Sequence, residues 1–364
     1  MNDVTELKQY VGAHALSQSL PPEHFHKLLD RVRTDEGGAP GSWAGEWCRA
    51  GERLEQEGHL LEAVRHFNMA RFPYVDGPAR AEALERCVSV FDRWRKETGG
   101  IERLDVDTPE GRVGCWTSGL SDTGRKPLLI FMGGIVSIKE QWAPLLGRLS
   151  KLGFAGLVTE IPGVGENGLP YHKDSWRLLP RLLDAVQGSA DVANTYCITL
   201  SFSGHLAMRA ALEDDRIRGV MTVGAPVNDF FTDRAWQAQL PRITVDTLAH
   251  LTGVASADVG EHLRDWALSD QELRSLPVPL AYAASARDEI IPAGDPGRLR
   301  RTVPDLRIVE YDDVHGAPSH LPEMQMWGFH SILRMKGGHL LPRAALRYAL
   351  LAGRLRRRPA PTPA

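Results

Sequence analysis

The chain has 364 residues, of which 43% are hydrophobic and 24% are charged, and its formal net charge at pH 7 is −3. Such a composition is that of an ordinary globular protein able to bury a core without metal or disulfide support. Acidic and basic residues are mixed along most of the chain, so there is no basic surface signal for nucleic acid.

The cysteines and the N-terminus indicate the cellular compartment. Cys48, Cys87, Cys115 and Cys197 are widely spaced and form no C-x-x-C pair, and the N-terminus has no apolar targeting segment. No apolar run approaches the ~20 residues that a membrane span needs. We therefore expect a cytoplasmic protein with reduced thiols, no metal site and no membrane partner.

Residues 1–98 are predicted to be entirely helical. In residues 55–72, Leu60, Val64 and Phe67 follow the i, i+4, i+7 spacing of one buried helical face. Gly77-Pro78 interrupts this pattern, which resumes over residues 79–94. No repeat of fixed period is present, so we interpret this region as a helical module rather than a solenoid.

From residue 99 to about residue 340, short apolar strands alternate with helices. Such alternation predicts a parallel, doubly wound sheet. Residues 228–276 are helical and irregular and follow a strand, and we interpret them as a lid insertion. Residues 341–364 would form a C-terminal helix and a basic, Pro-rich tail. The predicted strands are 101–106, 112–116, 127–132, 155–159, 195–200, 219–223, 279–284 and 306–311, and the clearest helices are 140–152 and 204–213.

A strand, a sharp turn and a helix surround Ser201, as in the nucleophile elbow that is normally written G-x-S-x-G. Small residues are needed two positions before and after the nucleophile because strand and helix pass close together. With Ser201 as nucleophile these positions hold Thr199 and Ser203, whereas Ser203 as nucleophile would place the bulky His205 there. We therefore favour Ser201, although a plain turn with serine as helix cap would give a similar pattern.

The strand at residues 127–132 ends in Gly133-Gly134, at the chain position of the loop that supplies an oxyanion hole. The expected donors are the N–H of Phe202 and one from Gly134 or Ile135, and each such donor is worth ~3 kcal/mol in a transition state. Ser137 and Glu140 have the spacing of a helix capping box. The Gly-rich segment 160–166 matches no phosphate-binding motif, and we interpret it as a turn at the mouth of the site.

The acid and the base of a triad are expected after the last two strands. Asp288 ends one strand, where an aspartate would orient an imidazole, and His315 lies in the loop after the next strand, with His320 as second candidate. The order Ser201, Asp288, His315, each directly after a strand, is the order of α/β-hydrolases. The sequence therefore predicts that fold with this triad.

Three segments also resemble a known branch of that superfamily. Residues 133–140 (GGIVSIKE) resemble the G-G-L-x-S-x-K-E segment of the branch containing 2,6-dihydroxypseudooxynicotine hydrolase and the fermentation-respiration switch protein. Residues 160–166 (EIPGVGE) are similar to its D-G-P-G-x-G-E, and residues 58–64 and 69–72 to its N-terminal helices. Thr199 and Ser203 depart from the glycines of the family. The resemblance implies a helical N-terminal cap domain, a homodimer and a triad of Ser201, Asp288 and His315.

Together these features predict a serine hydrolase without a cofactor that acts on a small molecule. The bond would be an ester, a thioester or a C–C bond next to a ketone, and the resemblance favours aromatic or polyketide-like substrates. An acyltransferase or cyclase with the same triad, or a non-catalytic binding protein, remains the alternative. The residues that we expect to line the pocket are Trp142, Trp176, Phe230, Phe231, Trp236 and His320.

Overall fold

The computed structural model describes residues 2–337. The predicted C-terminal helix and basic tail at residues 341–364 lie outside the described residues. In the described part, no helix is both long enough and apolar enough to cross a membrane. All four cysteines have free thiols.

The centre of the molecule is an eight-stranded sheet in the order β1-β2-β4-β3-β5-β6-β7-β8. The first two strands are antiparallel to their neighbours, and all pairings from β4 to β8 are parallel. This confirms the predicted, mostly parallel sheet. The strands are β1 (Glu102–Thr108), β2 (Gly111–Ser118), β3 (Pro127–Met132), β4 (Ala155–Thr159), β5 (Asp191–Leu200), β6 (Ile217–Val223), β7 (Leu280–Ser285) and β8 (Leu306–Tyr311).

Helices cover both faces of the sheet, so its central strands are buried on both sides and consist of almost unbroken apolar runs. The helices of this part are α6 (Lys139–Trp142), α7 (Leu146–Leu149), α8 (Leu178–Val186), α9 (Phe202–Glu213), α10 (Asp229–Thr232), α11 (Arg234–Gln237), α12 (Arg242–Thr252), α13 (Val259–His262), α14 (Asp270–Arg274), α15 (Gly294–Thr302) and α16 (Leu321–Lys336).

The N-terminal residues form five helices, which we call the cap. These helices are α1 (Val4–Ser17), α2 (Pro22–Leu29), α3 (Trp43–Gln56), α4 (Leu60–Arg71) and α5 (Pro78–Thr98). The cap has a hydrophobic cluster of its own, with Leu7, Val11, Trp43 and Trp47 fully buried. The cap can therefore hold α1 in a fixed place above the sheet.

Two predicted helices are interrupted in the structure. The prediction of one helix over residues 55–72 is wrong, because Gly58 adopts a φ of 81° between α3 and α4. The prediction of one helix over residues 140–152 is also wrong, because α6 and α7 are short and are joined and followed by 3-10 turns. Pro144 lies in the first of these turns, and proline removes a helical hydrogen bond.

The insertion at residues 228–276 consists of the short helices α10 to α14. Its start is held by the buried carboxylate of Asp295, which accepts hydrogen bonds from the backbone N–H groups of Val227, Asn228 and Asp229 at 2.7–3.0 Å. Burial raises the pKa of Asp295 to about 6. Helix α12 reaches the cap, where the N–H of Ile243 donates to Glu6 Oε1 at 3.1 Å.

Candidate active site

Ser201 lies in the tight turn between β5 and α9. Its backbone has φ 56° and ψ −125°, a conformation that costs a non-glycine residue of order 1–3 kcal/mol. The backbone is held there because the N–H of Ser201 donates to Val223 O at 2.7 Å, and its carbonyl accepts from Gly204 N at 2.8 Å. The strained turn presents the Ser201 side chain at the carboxyl edge of the sheet, as the sequence predicted for an elbow.

Ser203 is fully buried and directed away from this edge. Its hydroxyl accepts from Leu200 N at 2.9 Å and contacts Met132 O at 2.9 Å as donor. Thr199, also fully buried, donates to Met221 O at 3.3 Å. The two residues that replace the glycines of the family therefore bind neighbouring backbone, and Ser203 connects the elbow to the end of β3.

Asp288 and His315 meet Ser201 in hydrogen-bonding order. His315 Nε2 is 3.1 Å from Ser201 Oγ, and His315 Nδ1 is 2.9 and 3.0 Å from the two carboxylate oxygens of Asp288. Asp288 is itself oriented, since its Oδ1 accepts from the N–H groups of Ile290 and Ile291 at 3.0 and 2.8 Å. This is the geometry in which an imidazole can take a proton from a serine hydroxyl.

His320, the second candidate base, lies elsewhere. Its Nδ1 pairs with Asp313 Oδ2 at 3.0 Å, and the same carboxylate oxygen accepts from Ser319 N. The pair stabilises the loop that carries His315 rather than contacting Ser201. The pair with Asp313 explains why His320 is not available as an alternative base.

The pKa of His315 is raised above its usual value. Burial acts to lower this pKa, but the carboxylate of Asp288 and, more weakly, that of Glu289 outweigh the burial. Glu289 lies beside the triad, because its Oε2 accepts from His315 N at 3.0 Å. Glu289 was not among the residues predicted to form the site.

The Gly133-Gly134 loop lies directly against the nucleophile. A methyl group at Gly134 would be 3.3 Å from Ser201 Cβ and 4.0 Å from Ser201 Oγ. Phe202 is the first residue of α9, where backbone N–H groups have no partner within the helix. The structure thus brings Gly134, Ile135 and Phe202 to one cavity with Ser201.

The capping box predicted for Ser137 and Glu140 is wrong. The helix begins at Lys139, its N-cap is Ile138, and the N–H of Lys139 donates to Glu160 Oε2 at 2.8 Å. Glu140 is fully buried and accepts instead from Trp116 Nε1 at 2.9 Å. The reason is that the side chain of the neighbouring Lys139 is also buried, and its positive charge pairs with the carboxylates of Glu140 and Glu160.

The charged residues of the two family segments form one ion cluster behind the Gly133-Gly134 loop, in which Lys139, Glu140 and Glu160 are buried and Glu166 reaches the surface. Lys139 Nζ is 2.9 Å from Glu140, 3.2 Å from Glu160 and 2.5 Å from Glu166. Burial opposes the charge of Lys139, but these three carboxylates raise its pKa. Burial raises the pKa of Glu160, although Lys139 acts against this shift. Segment 160–166 is therefore a structural partner of the oxyanion loop as well as a turn.

Arg71 connects the cap to the same loop. Its side chain is fully buried at the end of α4 and donates to Asn68 Oδ1, to Pro73 O and to the carbonyl of Val136. Burial lowers the pKa of Arg71 to about 10, so the guanidinium stays charged at neutral pH. Because Val136 follows Gly134 and Ile135, the cap helps to fix the loop that faces the nucleophile.

A largely apolar cavity of about 200 Å³ opens above Ser201 and is enclosed by the cap, the insertion and the edge of the sheet. Of the six residues predicted to line the pocket, Trp142 does so. The other five predictions are wrong. Phe230 and Phe231 are packed in the core, Trp236 donates to Ile290 O, Trp176 lies under the guanidinium of Arg177, and His320 pairs with Asp313.

The remaining wall of the cavity comes from the cap, the insertion and the chain around the start of α16, in residues that were not predicted individually. Helix α1 contributes small and polar residues, and α12 contributes the residues of one of its faces. Apolar side chains come from the loop before α16 and from the first turns of α16. Apart from Ser201, His315, Glu289 and the loop residues, the lining includes Tyr10, Ala13, His14, Ser17, Phe72, Ile243, Thr244, Thr247, Leu321 and Met324. Their pattern in the sequence is that of ordinary amphipathic helices, so only the docking of the cap identifies them.

Comparisons with known proteins identify the family of the chain. The family described as "Esterase FrsA-like" matches residues 27–296. The chain is 24% identical over 294 residues to esterase FrsA of Photobacterium profundum, covering 72% of this chain and 69% of the relative. It is likewise 24% identical over 317 residues to esterase FrsA of Escherichia coli O157:H7, covering 78% and 76%.

Two solved structures resemble the whole molecule. AbyA5 superposes with a TM-score of 0.93 at 53% identity, covering 97% of this chain and 100% of that one. The 2,6-dihydroxy-pseudo-oxynicotine hydrolase superposes with a TM-score of 0.68 at 18% identity, covering 96% and 98%, which shows a common fold. These matches confirm the resemblance seen in the sequence. The chain belongs to the FrsA-like esterase family of α/β-hydrolases.

Proposed function

We propose that this protein is a serine hydrolase that cleaves a carboxylic ester of a small, neutral, largely apolar molecule through an acyl-enzyme at Ser201. The observation that carries the proposal is the chain of contacts from Ser201 Oγ through His315 to Asp288, at 3.1 and 2.9 Å, beside the largely apolar cavity. A hydroxyl and an imidazole in such contact form an activated nucleophile.

In this mechanism His315 Nε2 takes the proton of Ser201 as Oγ bonds to the ester carbonyl carbon. The negative charge on the carbonyl oxygen is stabilised by the N–H of Phe202 and one from Gly134 or Ile135. The carbonyl re-forms as the C–O bond to the alcohol breaks, and His315 returns the proton to the leaving oxygen. Water then attacks the acyl-enzyme by the same steps, releasing the acid and free Ser201.

The charge of the cavity supports a neutral substrate. Glu289 is the carboxylate among the described residues of the lining, which include no lysine or arginine. An anionic substrate would therefore meet repulsion without a compensating cation. The largely apolar remainder of the wall is suited to hydrocarbon, which gains about 25 cal/mol for each Å² removed from water.

The test combines covalent labelling with turnover. We expect a fluorophosphonate probe to label Ser201 in the folded protein, and Ser201→Ala to lose labelling and at least ~10³-fold of kcat on 4-nitrophenyl esters of C2 to C8 acids. Ser203→Ala is the matched variant, and it should still be labelled at Ser201. Full turnover by Ser201→Ala would refute the proposal.

The same experiment distinguishes hydrolysis from acyl transfer. Ester turnover is repeated with added alcohols and amines, and the products are separated by mass. Release of the free acid alone supports hydrolysis, whereas a predominant acyl-alcohol or acyl-amide product would identify a transferase acting through the same acyl-enzyme.

A further inference from the structure

His14 is a buried polar residue that neither the triad nor the packing of the cap requires. It lies on α1, is only 7% exposed and lines the cavity that contains Ser201. Among the described residues, its Nε2 has no hydrogen-bond partner. A buried polar group without a partner costs about 1–3 kcal/mol, so an apolar residue here would give a more stable fold.

The ring of His14 is held in place and is uncharged. It stacks on Phe72, with the ring centroids 4.9 Å apart and the planes inclined by 28°. Burial, and then the nearby charge of Arg71, lower the pKa of His14 well below its usual value. At neutral pH the ring therefore has one N–H donor and one free acceptor nitrogen.

A second unpartnered group on the same wall indicates which kind of atom the cavity accepts. Trp142 lines the cavity with 7% of its surface exposed, and its Nε1, which can only donate, has no partner in the described part of the chain. A methyl group at Gly133 would be 2.8 Å from this nitrogen, so Trp142 lies at the oxyanion loop, while His14 lies on the cap. Two unpartnered ring nitrogens in one lining suit a ligand with two acceptor oxygens.

We infer that His14 is a specificity-determining residue, whose ring N–H binds a carbonyl oxygen of the substrate remote from the bond that is cleaved. This inference rests on the proposed function, in which the scissile carbonyl lies at Ser201. The preferred substrates are then neutral oxo-esters, in which a hydrocarbon segment separates an ester from a second carbonyl.

The probes are 4-nitrophenyl octanoate and its 5-oxo, 6-oxo and 7-oxo derivatives, which differ in one oxygen and in its position. Binding is measured by titration calorimetry on Ser201→Ala, so the result does not depend on turnover. We expect at least one oxo-ester to bind about tenfold more tightly than the octanoate, the effect of one net hydrogen bond in a buried site.

His14→Phe, introduced into Ser201→Ala, keeps a ring on Phe72 but removes both nitrogens. It should bring the affinities of the oxo-ester and the octanoate to within about twofold of each other. His14→Leu serves as a second variant, and neither change should lower the thermal midpoint, since each removes an unsatisfied polar group. Trp47→Phe is the matched control, because it removes another unpartnered buried N–H of the cap that does not line the cavity.

An unchanged preference in both His14 variants, or no preference for any oxo-ester in Ser201→Ala, would overturn the inference. Its failure is distinct from that of the proposed function. Full turnover by Ser201→Ala would refute the proposed nucleophile, whereas an inactive Ser201→Ala without any preference for an oxo-ester would refute only the role of His14.

Discussion

Gly224 offers a direct test of whether the position of His315 controls activity. It follows β6 with a φ of 55°, and a methyl group there would be 2.8 Å from Cε1 and 3.1 Å from Nδ1 of His315. An ordinary carbon contact is ~3.5 Å, so in Gly224→Ala the ring must move by about 0.7 Å. The same methyl group would be 3.5 Å from Asp288 Oδ2, which limits movement toward that side.

A displacement of this size would break the geometry of proton transfer. The contact from His315 Nε2 to Ser201 Oγ is 3.1 Å, at the upper end of a useful hydrogen bond, and it has no margin for a further 0.7 Å. We expect kcat/KM of Gly224→Ala on a 4-nitrophenyl ester to fall by roughly 10²-fold. The alanine backbone at positive φ adds about 1–2 kcal/mol of lost stability, which urea unfolding measures separately.

Gly124→Ala is the matched control, because Gly124 also has a positive φ, 69°, but no atom of residues 2–337 lies within 4 Å of the position of the added methyl group. It should lose similar stability and keep its activity. If folded Gly224→Ala retained the kcat/KM of Gly124→Ala, the link between the position of this ring and turnover would be refuted.

Two further variants test the electrostatics and the support of the site. Because the carboxylate of Glu289 contributes to the raised pKa of His315, Glu289→Gln should lower that pKa and move the acid limb of the kcat/KM profile to lower pH. A limb that stays or moves upward would contradict this assignment. Ser203→Ala should lose about 1–2 kcal/mol in urea unfolding, because Leu200 N and Met132 O lose their buried partner. Unchanged stability would show that these bonds are re-formed elsewhere.

The sheet and the order of the site residues were predictable because both depend on local patterns. Strands buried on both faces must be almost wholly apolar, and β3 is recognisable for that reason. Parallel strands end at the same edge, so residues that directly follow them are brought together whatever the details of the connections. Ser201, Asp288 and His315 each follow a strand, and the structure places them in contact.

The elbow shows why a departure from a motif is hard to judge from sequence. Thr199 and Ser203 occupy positions that need small residues, yet both fit because their hydroxyls bond to backbone that is already close by. The close approach of strand and helix is instead accommodated at Gly204, where a methyl group would be 2.0 Å from Thr222 Oγ1. The spatial requirement for a glycine is met, but one position later than the motif states.

The pocket was not predictable, since its lining depends on how the cap docks. Large aromatic residues suggested a binding surface, but Phe230 and Phe231 fill the core, as large apolar side chains usually do. The residue with the most specific chemistry is instead His14, in a helix whose pattern is that of any amphipathic segment. Buried Arg71 joins the cap to the oxyanion loop at Val136, and the insertion meets the cap at Glu6. Since the same helices close the cavity and support the loop beside Ser201, substrate selection and the geometry of the nucleophile depend on one interface.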